Sequence, residues 1–451
     1  MAAPSASKLG NKRIFPLLMS MSLPPVLSML VQSLYNIVDS MFVAQVSENA
    51  YLAVLYAFPI QNLILSLAVG AGVGLNSYIA RQLGAGERDE ADSAVTHGFL
   101  LAGAHSLLFI LLGLFLIDPF FRLFTDSPEV LTLGVSYTRI VVFLSCGTIF
   151  HITVEKIFQS IGRMILPMLL QAAGAIINIL LDPVFIFGLF GLPAMGVEGA
   201  ALATIIGQMC SMLFSLALFL FGKYDVRLKT RGFRFSLKTV KNIYAVAVPS
   251  TVMMSIASVL VMGLNAILGR FSELAVNAFG SYYKLQTFVY MPANGLVQGM
   301  RPILSFNYGA KNRRRVMDTL RCSLGVVLVI MAAGTLLFMA APGAVLGLFN
   351  ASPEMLGIGV PALRILSTSF IVSSIGVVFS ALFESLGMGK ESLIISLLRQ
   401  FLITLPLAFL LSFPLELIGV WISFPIAETA AAGVSLLLFR RIRRKDPVLR
   451  G

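Results

Sequence analysis

The chain of 451 residues is 57% hydrophobic and 12% charged, with a mean hydropathy of +0.90, which excludes a water-soluble globular protein. Its formal net charge of +12 is divided among short connections between apolar runs, so it does not make the continuous basic face of a nucleic-acid binder. Cys146, Cys210 and Cys322 lie in or beside apolar stretches without metal-ligand spacing, and free thiols are expected.

Met1 to Asn11 lacks an apolar core and a cleavage site, so no cleaved signal is expected. The first long apolar segment, Ser22 to Val46, carries Gln32, Tyr35, Asn36 and Asp39 at i, i+3, i+4 and i+7, one face of a helix. The rest of that segment is Leu, Met, Val, Ile and Phe, so Asp39 must look into protein or water, and it is a functional-site candidate. Pro24 and Pro25 remove backbone donors near its start, which predicts a bend. Apolar segments of this kind recur along the chain, about twelve in all. The Gly-rich run Val69 to Gly74 lacks the strand and ribose-binding acid of a nucleotide fingerprint and reads as close helix packing.

Further on, Asn178 and Asp182 lie one helical turn apart, and Gln171 extends their face seven residues earlier. Glu155 beside Lys156 reads as an interfacial ion pair near the end of the fourth span. Basic residues gather in alternate connections: Lys8, Lys12 and Arg13; Arg81 and Arg88; seven between Lys223 and Lys241; Lys311 to Arg321; and Arg440 to Arg450. The positive-inside rule then places both termini and the central loop in the cytoplasm, which requires an even number of spans.

The second half echoes the first at an offset of 225 residues: Pro24 with Pro249, Ser47-Glu48 with Ser272-Glu273, Gln61 with Gln286, Gly70 and Gly74 with Gly295 and Gly299, Gly162 with Gly387. This predicts an all-α integral membrane protein of twelve transmembrane helices in two six-helix lobes, related by a pseudo-two-fold along the membrane normal. The expected boundaries are an N-terminal lobe over 1–222, a basic cytoplasmic linker over 223–241 and a C-terminal lobe over 242–451. The repeat fails at Asp39, which answers to Leu264, and at Asp182, so the central acids belong to the first lobe. Glu384, where the first half has Gln159, fits a cavity acid and a structural cap equally.

Two carboxylates sharing a low-dielectric cavity repel each other, and a proton relieves that repulsion. So does a hard cation such as Na⁺ helped by the oxygens of Asn178, Tyr35 and Thr204. These residues serve both ions equally. No nucleophile constellation suggests an enzyme, and no P-loop suggests an ATP-driven pump.

The segment Pro24 to Val43, Asn178 with Asp182-Pro183, the run Gly196 to Thr204, and the Gly-Ala turns at Gly84 and Gly309 together resemble the multidrug and toxic compound extrusion transporters over nearly the whole chain. The resemblance implies a secondary antiporter without a cofactor, in a bacterial inner membrane, exporting small organic cations and amphipathic drugs in exchange for H⁺ or Na⁺. It implies a proton or Na⁺ site at Asp39, Asn178, Asp182 and Thr204, with Gln32, Tyr35, Asn36, Tyr137 and Gln171 in the substrate cavity and Pro24 as the bend. Glu155 stands where relatives carry Asn and would add a third acid. The acid-free seventh span favours the branch whose coupling acids lie in the first lobe. A monomer is expected. The alternative is a lipid-linked oligosaccharide flippase, which needs cationic residues in its cavity, whereas the central charges recognised in the sequence are acidic.

Overall fold

The computed structural model describes residues 6–347 and 352–450, and among them every regular element is helical. The spanning helices are α1 (Ile14–Ala44), α2 (Glu48–Ala85), α3 (Arg88–Arg122), α5 (Ile165–Phe187), α6 (Gly196–Phe221), α7 (Leu237–Leu268), α8 (Glu273–Gly309), α9 (Arg313–Ala340) and α10 (Pro353–Leu386). Between α3 and α5, α4 is one span in two pieces, Pro128–Phe143 and Cys146–Ser160, bent by 43°. After α10, α11 runs from Gly389 through a π-helical turn at Leu398–Leu402 to a break at Glu416 (φ 50°, ψ −134°), and α12 continues to Lys445. Length and hydropathy alone select nine of the described helices, or ten with the bent pair, because they read α11 and α12 as one element and reject α8. The face of α8 carries Asn277, Lys284, Gln286 and Arg301, which explains that rejection. The expected twelve spans are therefore present.

The repeat is visible in local chemistry. Ser47 and Ser272 cap α2 and α8 with near-identical extended backbones (φ −170° and −169°), each hydroxyl accepting from the N–H three residues on, Ala50 and Ala275. The turns ending α4 and α10 both use a left-handed glycine, Gly162 (φ 78°) and Gly387 (φ 83°).

The chain packs as two units whose borders differ from the expected lobes. One holds Leu27–Ala247, with the basic linker and the start of α7; the other holds Lys8–Val26 with Val248–Gly451. The reason is a pair of repeat-related glycines. In the first unit a Cβ on Gly74 would sit 2.3 Å from the Ile243 carbonyl oxygen at the start of α7. In the second unit a Cβ on Gly299 would sit 2.5 Å from Ser22 Oγ and 2.7 Å from the Met21 carbonyl carbon at the start of α1. Only glycine admits this approach of backbones. α1 is continuous through Pro24 and Pro25, and the change of packing partner falls directly after them.

The linker is held within the first unit by the start of α3. Asp92 accepts from the Arg227 N–H (2.8 Å), Thr96 Oγ1 accepts from the Lys229 N–H (2.9 Å), and buried His97 accepts from the Ser236 N–H (2.9 Å). Large apolar side chains on α3 and α9, among them Phe115 and Val329, stay exposed as a lipid-facing surface requires.

Replacing Gly74 or Gly299 with Val is expected to lower stability by about 1–3 kcal/mol through overpacking. Gly280→Ala, with nothing within 4 Å of its new Cβ, is expected to be neutral or slightly stabilising. Thermal unfolding of the purified variants in detergent measures the difference.

Candidate functional site

Within the first unit, α1, α5 and α6 bring the sequence-predicted polar residues together. Asp182 is completely buried on α5, and its Oδ1 accepts from Asn178 Nδ2 at 3.2 Å. The same nitrogen donates to Thr204 Oγ1 on α6 at 3.3 Å, so both protons of the amide are committed. The Asp39 carboxylate acts electrostatically on Asp182, and both acids act on the hydroxyls of Tyr35 and Tyr137. At the edge of the set, Gln171 Nε2 donates to Gln32 Oε1 (3.2 Å), tying α5 to α1. Tyr137, buried on α4, accepts from Gln61 Nε2 on α2 (2.9 Å), a contact the repeat had marked only as a matched glutamine.

Three oxygens in this cluster are buried without a hydrogen-bond donor: Asp39 Oδ1, Asn178 Oδ1 and Asp182 Oδ2. Neither aspartate forms an ion pair among the described residues. Buried acceptors left without donors cost about 1–3 kcal/mol each, more when charged. A donor brought in from outside relieves each of these oxygens, and at the two carboxylates a proton or a hard monovalent cation also supplies the missing positive charge. With oxygen donors only, and no group of three or more His, Cys, Asp or Glu among the described residues, the cluster does not suit a transition metal.

Other expected residues fall elsewhere. Asn36 is exposed. Glu155 accepts from Lys156 Nζ (2.8 Å) and Gln159 Nε2 (2.7 Å), the ion pair expected from its neighbour rather than a free third acid. Glu384, in the second unit, is paired with Arg301 (2.6 Å) and also accepts from Ser250 (3.1 Å), so the structure makes it a compensated acid.

The sequence reading missed one centre. In the second unit Arg399, in the π-helical turn of α11, donates to Glu428 Oε1 on α12 through both Nε (3.0 Å) and Nη2 (2.8 Å). The central charges recognised in the sequence were acidic, and Arg399 adds a cation inside the spans. Its signal is one basic and one acidic residue interrupting two adjacent apolar spans. Glu428 neutralises it, so the cation-lined cavity a flippase needs is absent from this pair.

The MatE family model matches the chain twice, over residues 24–184 and 249–410, so the two matches begin 225 residues apart, as the repeat does. The second match is one residue longer, and the π-helical turn of α11 inserts one residue. The multidrug export protein MepA of Staphylococcus haemolyticus is 24% identical over 433 residues, covering 96% of this chain and 94% of that protein. MepA of Staphylococcus aureus is 25% identical over 433 residues, covering 95% and 94%. Among solved structures, the outward-facing conformation of a multidrug resistance MATE family transporter of the MOP superfamily superposes over 100% of both chains with a TM-score of 0.91 at 27% identity. With the fold and the doubled match over more than half of its length, the chain belongs to the MatE family of membrane transporters.

Proposed function

We propose that this transporter is a secondary active multidrug exporter, moving organic cations and other amphipathic drugs outward in exchange for H⁺ or Na⁺ by alternating access. The observation that carries this reading is the pair of acids, half-buried Asp39 and fully buried Asp182, each with a buried unsatisfied oxygen and no ion-pair partner among the described residues. The names of the MepA relatives support the drug class.

In this reading Asp39, Asn178, Asp182 and Thr204 hold the coupling ion. A proton on either carboxyl, or Na⁺ among the four oxygens, removes the repulsion between the acids, and a drug cation competes for the same negative charge. Gln32, Tyr35, Tyr137 and Gln171 line the approach, and Tyr137 is oriented by Gln61. The two prolines of α1 mark where its acid-bearing part can bend away from its start. The chain works as a monomer in the bacterial inner membrane with both termini cytoplasmic, as the basic connections require. It belongs to the branch that couples through first-lobe acids. A flippase is disfavoured because Arg399, at the second unit's centre, is held by Glu428.

Asp39→Asn and Asp182→Asn each keep the side-chain volume and remove the charge, so each is expected to lower energised drug efflux at least about tenfold, about 1.4 kcal/mol of coupling, at unchanged expression. Drug accumulation in vesicles loaded with variant protein measures this, and wild-type rates in either variant would refute the site. Glu384→Gln is expected to reduce efflux less than Asp39→Asn, since Glu384 already has Arg301.

Pro24→Ala is expected to leave drug binding measurable while slowing turnover several-fold, because it removes one conformation and leaves the site intact. Unchanged turnover would remove the bend from the mechanism.

Coupling stoichiometry follows from charge. One H⁺ for one monovalent cation moves no net charge, whereas two H⁺ gain about 2.3 kcal/mol per 100 mV, roughly fiftyfold in accumulation. With two acids available, collapsing the membrane potential at a fixed pH gradient is expected to lower the limiting drug gradient. An unaltered gradient would mean that the two carboxylates exchange a single charge, and a strict Na⁺ requirement at constant pH would replace the proton.

A further inference from the structure

The Arg399–Glu428 centre of the second unit plays no part in the exchange just described, and its geometry is not that of a finished ion pair. A guanidinium and a carboxylate meet most strongly through two parallel bonds to two oxygens. Here both donors, Nε and Nη2, end on Oε1, and Glu428 Oε2 is buried with no donor. The Tyr282 hydroxyl, on α8, is also buried without a partner, and Glu428 acts on it electrostatically. That ring cannot swing away, because it is completely buried against Phe279, Phe370 and Phe424. Tyr290, one helical stretch further along α8, shares its hydroxyl between Arg399 and Ser373.

Where α10 passes the pair it carries Gly376, and the atoms nearest to a Cβ built there would be Arg399 Cδ and Nη1 (both 3.8 Å) and Glu428 Oε2 (3.9 Å), all at ordinary contact distance. The two charged side chains each keep 11% of their surface exposed, so the pair is not sealed. Arg399 itself sits in the π-helical turn, closed by the Ile403 N–H on the Leu398 carbonyl (3.1 Å), with the Thr404 hydroxyl on its own carbonyl. Turns of this kind inside α-helices often mark functional positions.

We propose that Arg399 and Glu428 form a second ligand site for the carboxylate group of an anionic or zwitterionic substrate, which Arg399 binds while Glu428 is protonated. Two carboxylates on one guanidinium would repel each other. A proton on Glu428 Oε2 removes that repulsion, and the Arg399 bonds then pass from Oε1 to the substrate carboxylate. Loss of the proton returns Arg399 to Glu428 and expels the substrate group. One H⁺ and one carboxylate enter and leave together, so the net charge at this centre stays constant and Arg399 is never left bare in the bundle. The charged and titratable groups acting on Glu428 are Arg399 from α11 and Tyr282 and Tyr290 from α8; α10 contributes only the uncharged Ser373 and Gly376 at this point. This site rests on the drug-export reading and extends it to substrates that carry a carboxylate.

The test uses tetramethylrhodamine, a zwitterion, and its methyl ester, a cation of nearly the same shape, each titrated by fluorescence anisotropy against the purified full-length protein. Gly376→Ala, which puts a methyl group against Arg399 and Glu428 Oε2 at ordinary contact distance and so without a clash, is expected to weaken the zwitterion about tenfold and leave the ester unchanged. Arg399→Gln with Glu428→Gln together, which leaves no uncompensated charge, is expected to do the same with an unfolding temperature near that of the parent. In weakly buffered solution, zwitterion binding is expected to take up one more proton than ester binding, a difference the double variant abolishes. Equal weakening of both dyes, or an unaffected zwitterion, would overturn the site while leaving drug export standing. Parent protein that binds neither dye would overturn both.

Discussion

A charge inside a bundle of membrane helices has to be met by an opposite charge or by donors, and this single constraint sorts the interior of the molecule. Glu155 meets Lys156, Glu384 meets Arg301 and Glu428 meets Arg399, each at 2.6 to 2.8 Å. Asp182 meets only the Asn178 amide, and Asp39 Oδ1 meets no donor. The neighbouring groups do not correct this: Asn178 commits both amide protons to Asp182 and Thr204, and its carbonyl oxygen adds a third unsatisfied acceptor. A cluster whose amide protons are committed while carboxylate and carbonyl oxygens remain without donors is suited to a positive ion.

The second constraint is steric. Duplication produced two six-helix sets, yet the packing units do not follow the duplicated segments, because Gly74 receives the start of α7 and Gly299 the start of α1. Each repeat thus lends the first turns of its first helix to the other unit. α1 carries Asp39 in the part belonging to the first unit, with Pro24 and Pro25 just before the crossover. α7 has Pro249 just after its own. Covalent links that lack a backbone donor at the crossover bend at less cost than an unbroken helix. In α1 such a bend bears directly on an acid of the ion site.

Much of this was legible in the sequence, for identifiable reasons. The stripe Gln32, Tyr35, Asn36 and Asp39 stood out because polar residues are rare in a span, and the pair Asn178 and Asp182 because a helical turn separates them. The serine caps and left-handed glycines followed from matched residues at one offset. Asn36 lies on the same face as Gln32 and Asp39 and is exposed, so burial within that stripe is uneven. Pairings between distant helices were not legible. Nothing local tells that Glu384 finds Arg301, 83 positions earlier, or that Arg399 finds Glu428 across the break at Glu416. The packing units do not break at the basic linker, because the linker marks a topological boundary, whereas packing is decided by where a glycine lets another backbone in.

The asymmetry between the repeats is chemical more than architectural. Asn76 and Gln159 in the first half answer to Arg301 and Glu384 in the second, so a neutral pair at those positions is exchanged for an ion pair, with Lys156 and Glu155 supplying the charges in the first unit. Both arrangements are balanced. Asp39 answers to Leu264, which is completely buried, and there no balance is made: one repeat keeps a charge and the other an apolar side chain. In the second unit the charges on α11 and α12 instead cancel within one contact. A net charge that must be neutralised from outside is therefore confined to one unit. That is the condition under which one duplicated framework can couple an ion at one end of its ancestry and keep the other free for a different chemistry.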